Sequence, residues 1–178
     1  MTVTARPIKP GPENAASVPA PSPDPPILPT FVLADLAATD ELAARIARLA
    51  RSGDLIFLQG GLGSGKTAFA RGFLRALGVR EEVPSPTFTL VQAYETDKGP
   101  VWHFDLYRLQ QPEEAIELGF DEARANGIVL VEWPDRLGPH VPEGALTLTL
   151  AIAGPTQRSV TLSGSGEWRM RLALAGLT

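Results

Sequence analysis

Residues 59 to 67 read Gln59-Gly60-Gly61-Leu62-Gly63-Ser64-Gly65-Lys66-Thr67, and the run fits the pattern G-x-x-x-x-G-K-S/T at every fixed position. The chemistry this spacing implies is the binding of a phosphate chain. Glycines at 60, 61, 63 and 65 let the backbone pass through positive φ and turn successive N–H groups, those of Leu62 and Ser64 included, toward phosphate oxygens. Lys66 then offers a point charge to the β and γ phosphates of a nucleotide such as ATP. Thr67 offers a hydroxyl to Mg²⁺, and a helix opening at Lys66 would add the positive end of its dipole.

Two carboxylates are the next groups that could do chemistry. Ile128-Val129-Leu130-Val131-Glu132 is a β-prone apolar run ending in an acid, which places Glu132 at the C-terminal edge of a parallel strand, where it can take Mg²⁺. Asp105 lies within the mostly apolar strand Val101–Leu106. Burying a carboxylate there requires a cation, a metal or hydrogen-bond donors, so Asp105 is read either as a group near Mg²⁺ or as an ion-pair partner of Arg108. His103 in the same strand is expected to be packed and hydrogen-bonded rather than to touch a nucleotide.

The elements that must hold these groups are legible around them. Leu55-Ile56-Phe57-Leu58 reads as a buried strand entering the loop, and Phe69, Phe73, Leu74 and Leu77 recur at helical spacing after it, with Gly78 as the C-terminal cap. An earlier helix is expected to start at Thr39-Asp40-Glu41 and to bury Leu42, Ile46 and Leu49, leaving Arg45 and Arg48 on a solvated face. Two prolines hold Val83-Pro84-Ser85-Pro86-Thr87 extended, either as a rigid connector or as a switch whose Ser85 and Thr87 hydroxyls sense the γ-phosphate. Phe88–Tyr94 and Val101–Leu106 are expected to form a hairpin across the turn Asp97-Lys98-Gly99-Pro100. Pro112-Glu113-Glu114 opens a helix with Ile116 and Phe120 inward, and Pro134 stops the strand that ends at Glu132. Leu146–Leu150 and Ser159–Leu162 alternate as an antiparallel pair at one sheet edge, Arg158 stands at their junction, and Trp168–Leu174 is a final helix.

Composition bounds the rest. A chain of 178 residues with 44% apolar and 20% charged content suits one folded domain. Residues 1–29 hold nine of the seventeen prolines and almost no large apolar side chain, so they are expected to be a disordered tail before a domain spanning 30–178. No run reaches the roughly 18 apolar residues of a membrane span, and zero cysteines fit a cytoplasmic protein. A net charge of −4 argues that any nucleic acid is held by a partner rather than by this chain.

Taken together, Ser85-Pro86-Thr87-Phe88-Thr89-Leu90-Val91, His103-Phe104-Asp105-Leu106-Tyr107-Arg108 and Val131-Glu132-Trp133-Pro134, in this order after the phosphate loop, resemble the TsaE family over about Phe31 to Arg158. That resemblance implies an α/β P-loop NTPase fold, with a mixed, mostly parallel sheet flanked by helices in three layers. It also implies slow hydrolysis of ATP with Mg²⁺, in concert with the TsaD and TsaB proteins, to support threonylcarbamoyl transfer to the adenosine beside the anticodon of tRNA. The tRNA would be met only through the complex. By similarity Thr67 and Glu132 coordinate Mg²⁺, Asp105 is needed for hydrolysis together with Lys66, Ser85 and Thr87 belong to the switch, and Trp133 lies near the nucleotide, with Thr39 and Arg158 bordering it. The family loop usually reads G-D-L-G-A-G-K-T, so Gly61 here replaces an aspartate and Ser64 an alanine, which implies a more flexible loop. A small-molecule kinase and a non-catalytic nucleotide-gated module are the rival readings, and the absence of N-K-x-D speaks against a GTPase.

Overall fold

Leu55–Gln59, which carries the chain into the phosphate loop, is apolar at four successive positions because both of its faces are covered. The computed structural model describes residues 27–164 and 166–178, so the expected tail lies outside the described residues as far as residue 26. In chain order the elements are β1 (Ile27–Leu33), α1 (Leu36–Leu49), β2 (Leu55–Gln59), α2 (Lys66–Ala76), β3 (Val91–Thr96) and β4 (Gly99–Asp105). Then come α3 (Glu113–Glu117), α4 (Phe120–Asn126), β5 (Ile128–Glu132), a short 3₁₀ stretch (Pro134–His140), β6 (Leu146–Ile152), β7 (Arg158–Ser163) and α5 (Gly166–Leu174).

The seven strands form one mixed sheet in the order β1-β7-β6-β2-β5-β4-β3. Its centre, β6-β2-β5-β4, is parallel, and antiparallel strands close both ends. Ile56, Leu58, Ile128 and Leu130 meet α1, α2 and α5 on one face through Ile46, Phe69, Phe73 and Trp168. Leu55, Phe57, Val129 and Val131 meet α3 and α4 on the other through Ala115, Phe120 and Ala123. This gives the three layers of a P-loop NTPase. Truncating a fully buried ring such as Phe73 to alanine would cost about 3–5 kcal/mol.

Several local expectations are corrected by the partners that backbone and side chains find, near and far. β1 begins at Ile27, inside the expected tail, because it pairs with β7 from Ile27↔Ser163 to Leu33↔Arg158. That pairing also makes β1, not the β6–β7 pair, the outer strand. Helix α1 starts at Leu36 rather than at Thr39, since the Asp35 carboxylate accepts from Ala38 N at 2.9 Å and serves as the N-cap. Residues 86–89 form a turn instead of the start of a strand: Leu90 N donates to Pro86 O at 2.6 Å, Leu90 takes φ 66°, and β3 begins at Val91. Arg45 is not simply solvated, because it donates to Ala175 O at 2.8 Å beyond the C-terminal end of α5. Ile116 is 46% exposed, whereas Phe120 is buried as expected.

Candidate active site

The C-terminal ends of β2, β5 and β4 lie side by side, in register Leu58↔Glu132 and Glu132↔Asp105. The phosphate loop leaves β2 at the same edge, so the loop and both carboxylates open into one crevice, where ligands of open α/β sheets are found. The crevice has a volume of about 420 Å³ and is lined by Leu62, Gly63, Gly65, Lys66 and Thr67 of the loop, by Ser85 and Thr87, and by Asp105, Glu132, Trp133 and Arg158. That size is in the range of small-ligand sites.

Backbone geometry explains which glycines the loop requires. Gly60 has φ 141°, and a Cβ there would stand 2.2 Å from Leu150 O and 2.6 Å from Ser64 Oγ. Gly63 and Gly65 also have positive φ, and Gly65 is the left-handed N-cap that turns the chain into α2. Gly61 does not share this conformation, contrary to the expectation for all four, and a Cβ on it would meet nothing within 4 Å. Ser64 is buried with its Oγ unpaired among the described residues.

Lys66, the first residue of α2, folds back so that Nζ donates to Gly60 O at 2.8 Å and Gly61 O at 2.9 Å and lies 3.9 Å from the centre of the Trp133 ring. Burial pushes its ammonium below the ordinary lysine value of 10.5, and the carboxylates of Glu132, Asp105 and Asp135 pull the other way. Trp133 itself holds φ 60° directly after β5 and packs against Tyr107 with ring centres 5.0 Å apart.

Thr67 Oγ1 donates to Glu132 Oε2 at 3.1 Å, bringing a hydroxyl and a carboxylate to one spot. No cluster of three or more His, Cys, Asp or Glu capable of holding a metal is found among the described residues. The hydroxyl and carboxylate oxygens of Thr67 and Glu132 are hard donors of the kind Mg²⁺ takes, one or two from protein with the remainder from phosphate and water. Asp105 forms no ion pair with Arg108. Its Oδ2 accepts from Thr87 Oγ1 at 2.6 Å and from Ser85 Oγ at 3.4 Å, and its Oδ1 accepts from Tyr107 N at 3.2 Å. Arg108 stacks instead on the ring of the exposed Phe88, 4.5 Å from its centre.

Among the other expected site residues, Arg158 reaches the crevice and donates from Nη2 to Gly63 O at 3.2 Å. Thr39 does not line it: the residue is buried within α1 and donates its hydroxyl to Asp35 O at 3.2 Å. Tyr107 lines the crevice as well, and its place two residues after Asp105 is the sequence signal for it. His103 is buried and packed as expected, with Nε2 3.0 Å from Glu132 Oε1.

Comparison with known proteins agrees with this geometry. The TsaE family model, described as threonylcarbamoyl adenosine biosynthesis protein TsaE, matches residues 33–160. The tRNA threonylcarbamoyladenosine biosynthesis protein TsaE of Bacillus subtilis is 36% identical over 130 residues, covering 72% of this chain and 81% of that protein. The protein of the same name from Synechocystis is 43% identical over 118 residues, covering 63% of this chain and 73% of its own length. The crystal structure of Bacillus subtilis YdiB superposes with a TM-score of 0.71 at 29% identity, covering 84% of this chain and 95% of that one. The chain therefore belongs to the TsaE family.

Proposed function

We propose that this chain binds ATP with Mg²⁺ and hydrolyses it slowly, as the nucleotide-driven component of tRNA threonylcarbamoyladenosine synthesis, acting with TsaD and TsaB proteins. The observation that carries the reading is the convergence of Lys66, Thr67, Glu132 and the Thr87–Asp105 pair on one crevice. Two different jobs are then available to the two carboxylates. Glu132, beside the Thr67 hydroxyl, is suited to holding the metal. Asp105, ringed by donors from the Ser85–Thr87 segment, is suited to orienting a water and to sensing whether that segment has moved.

Bound between Thr67 and Glu132, Mg²⁺ would supply charge neutralisation on the phosphate oxygens. Lys66 has only to exchange the carbonyls of Gly60 and Gly61 for phosphate oxygens, a short movement that keeps its donors satisfied. The N–H groups of the loop complete the cradle. Loss of the γ-phosphate would then be read by the Ser85–Thr87 segment and passed to the partners as a reset, not as a direct source of bond energy. The net charge of −4 supports contact with tRNA through those partners.

The test mixes the full chain with TsaD, TsaB and tRNA and follows phosphate release alongside repeated rounds of modification. Lys66→Ala is expected to abolish both. A Lys66→Ala chain that releases no phosphate yet sustains repeated turnovers would refute the coupling. Label from γ-labelled ATP appearing in an organic product would point to a kinase instead.

A further inference from the structure

Glu132 uses both of its carboxylate oxygens: Oε2 accepts from Thr67 Oγ1 at 3.1 Å, and Oε1 lies 3.0 Å from His103 Nε2. His103 is fully buried, on β4, the neighbour of β5, and projects from the same face as Asp105 two residues later. As a carboxylate, the form that binds a metal, Glu132 only accepts, so in that form Nε2 carries the hydrogen of the second contact. His103 Nδ1 is buried and has no partner among the described residues. Among the described residues the ring's one polar contact is therefore with Glu132.

That contact matters because the terminal torsion of a glutamate is broad, with no steep well to fix the carboxylate plane. The His103 hydrogen bond removes this freedom and leaves Oε2 facing Thr67. We propose that His103 is a positioning residue for the metal: it locks the Glu132 carboxylate in the orientation that lets Oε2 and the Thr67 hydroxyl engage one Mg²⁺ together. The inference rests on the Mg²⁺–nucleotide reading above and adds a residue to it. His103 touches neither nucleotide nor metal; it acts through Glu132, from behind.

The test uses the full chain and titrates Mg²⁺ into a fixed concentration of ADP, following tryptophan fluorescence and calorimetric heat, with ADP in EDTA as the metal-free control. His103→Phe removes the donor and keeps a ring; His103→Gln keeps a donor at similar reach. His103→Phe is expected to raise the half-saturating Mg²⁺ about tenfold, the usual scale for losing an outer hydrogen-bond partner of a metal ligand. Binding of ADP in EDTA should be unchanged, and His103→Gln should recover most of the loss. Unchanged Mg²⁺ dependence in folded His103→Phe overturns the proposal, as does an equal loss in EDTA, which would mean a merely structural role. Wild-type chain that binds no nucleotide at any Mg²⁺ concentration removes the ATP reading and this inference together, whereas normal wild-type binding with an indifferent His103→Phe removes this inference alone. Should His103→Phe not fold, ¹⁵N NMR of the wild-type imidazoles decides, because the chain has only two histidines and His140→Asn assigns them. A His103 ring carrying a proton on Nε2, with that nitrogen's resonance moving when Mg²⁺ joins the ADP complex, supports the proposal; a ring with no proton on Nε2, or no response, overturns it.

Discussion

Thr87 Oγ1 donates to Asp105 Oδ2 across 2.6 Å, tying the loop after Pro86 to the last residue of β4. Ser85 Oγ, 2.7 Å from Thr87 Oγ1, joins the same knot. Asp105→Asn keeps the volume and removes the acceptor charge. Phosphate release should fall about 100-fold, within the range for a general base or its equivalent. Calorimetric affinity for Mg²⁺–ATP should change little. Unaltered phosphate release by the variant would remove Asp105 from hydrolysis.

The two adjacent glycines of the loop should respond in opposite ways. Gly60→Ala drives a Cβ against Leu150 O and Ser64 Oγ at φ 141° and should cost about 1–3 kcal/mol by urea unfolding, with loss of nucleotide binding. Gly61→Asp, which restores the residue usual in the resemblance, enters open space at an ordinary φ. It should stabilise the chain by about 0.4–1 kcal/mol through a less flexible unfolded state. Equal damage from both changes would contradict the loop geometry.

Lys66 gives a pH signature whose sign follows from burial. Its ammonium in the nucleotide-free chain loses its proton below the ordinary 10.5, and bound phosphates would raise that value again. From neutrality upward affinity is then level until pH rises through the depressed value, where it declines, beginning below 10.5. Calorimetry with ADP and Mg²⁺ at pH values from neutrality up to about 10 checks this against Lys66→Met, whose weak binding should show no such decline. A wild-type affinity that stays level over the same range would contradict it.

Far from the crevice, Arg171 of α5 grips both oxygens of Asp54 at 2.6 and 2.7 Å and also donates to Leu49 O at 2.8 Å. The pair is largely buried, so Arg171→Leu leaves the Asp54 carboxylate without its cation, with Arg51 N still donating to it, and should cost about 3–5 kcal/mol. Denaturant unfolding should register this while nucleotide affinity in the native state is retained. A variant as stable as wild type would show that the pair contributes nothing net.

What the sequence discloses is what neighbouring residues determine together. β2, the phosphate loop and α2 form one continuous local pattern, and Glu132 stands out because four apolar residues precede it. Thr39 looked like a capping residue only because Asp35, the actual cap, is followed by three apolar residues that resemble a strand end as much as a first turn. The early start of β1 depends on β7, more than a hundred residues away. Arg45 and Arg171 find backbone carbonyls and a carboxylate across similar separations, and no local spacing encodes such partners. The contact of His103 with Glu132 is of the same kind: each residue was visible, but not the register that joins them.

The central claim is that this loop grips a nucleotide, and calorimetry of ATP and ADP against the full chain in Mg²⁺ tests it most directly. Saturable heat for both nucleotides, lost in Lys66→Ala, is the result predicted here. A folded wild-type chain that gives no heat with millimolar nucleotide, or a Lys66→Ala chain that binds equally well, would contradict it.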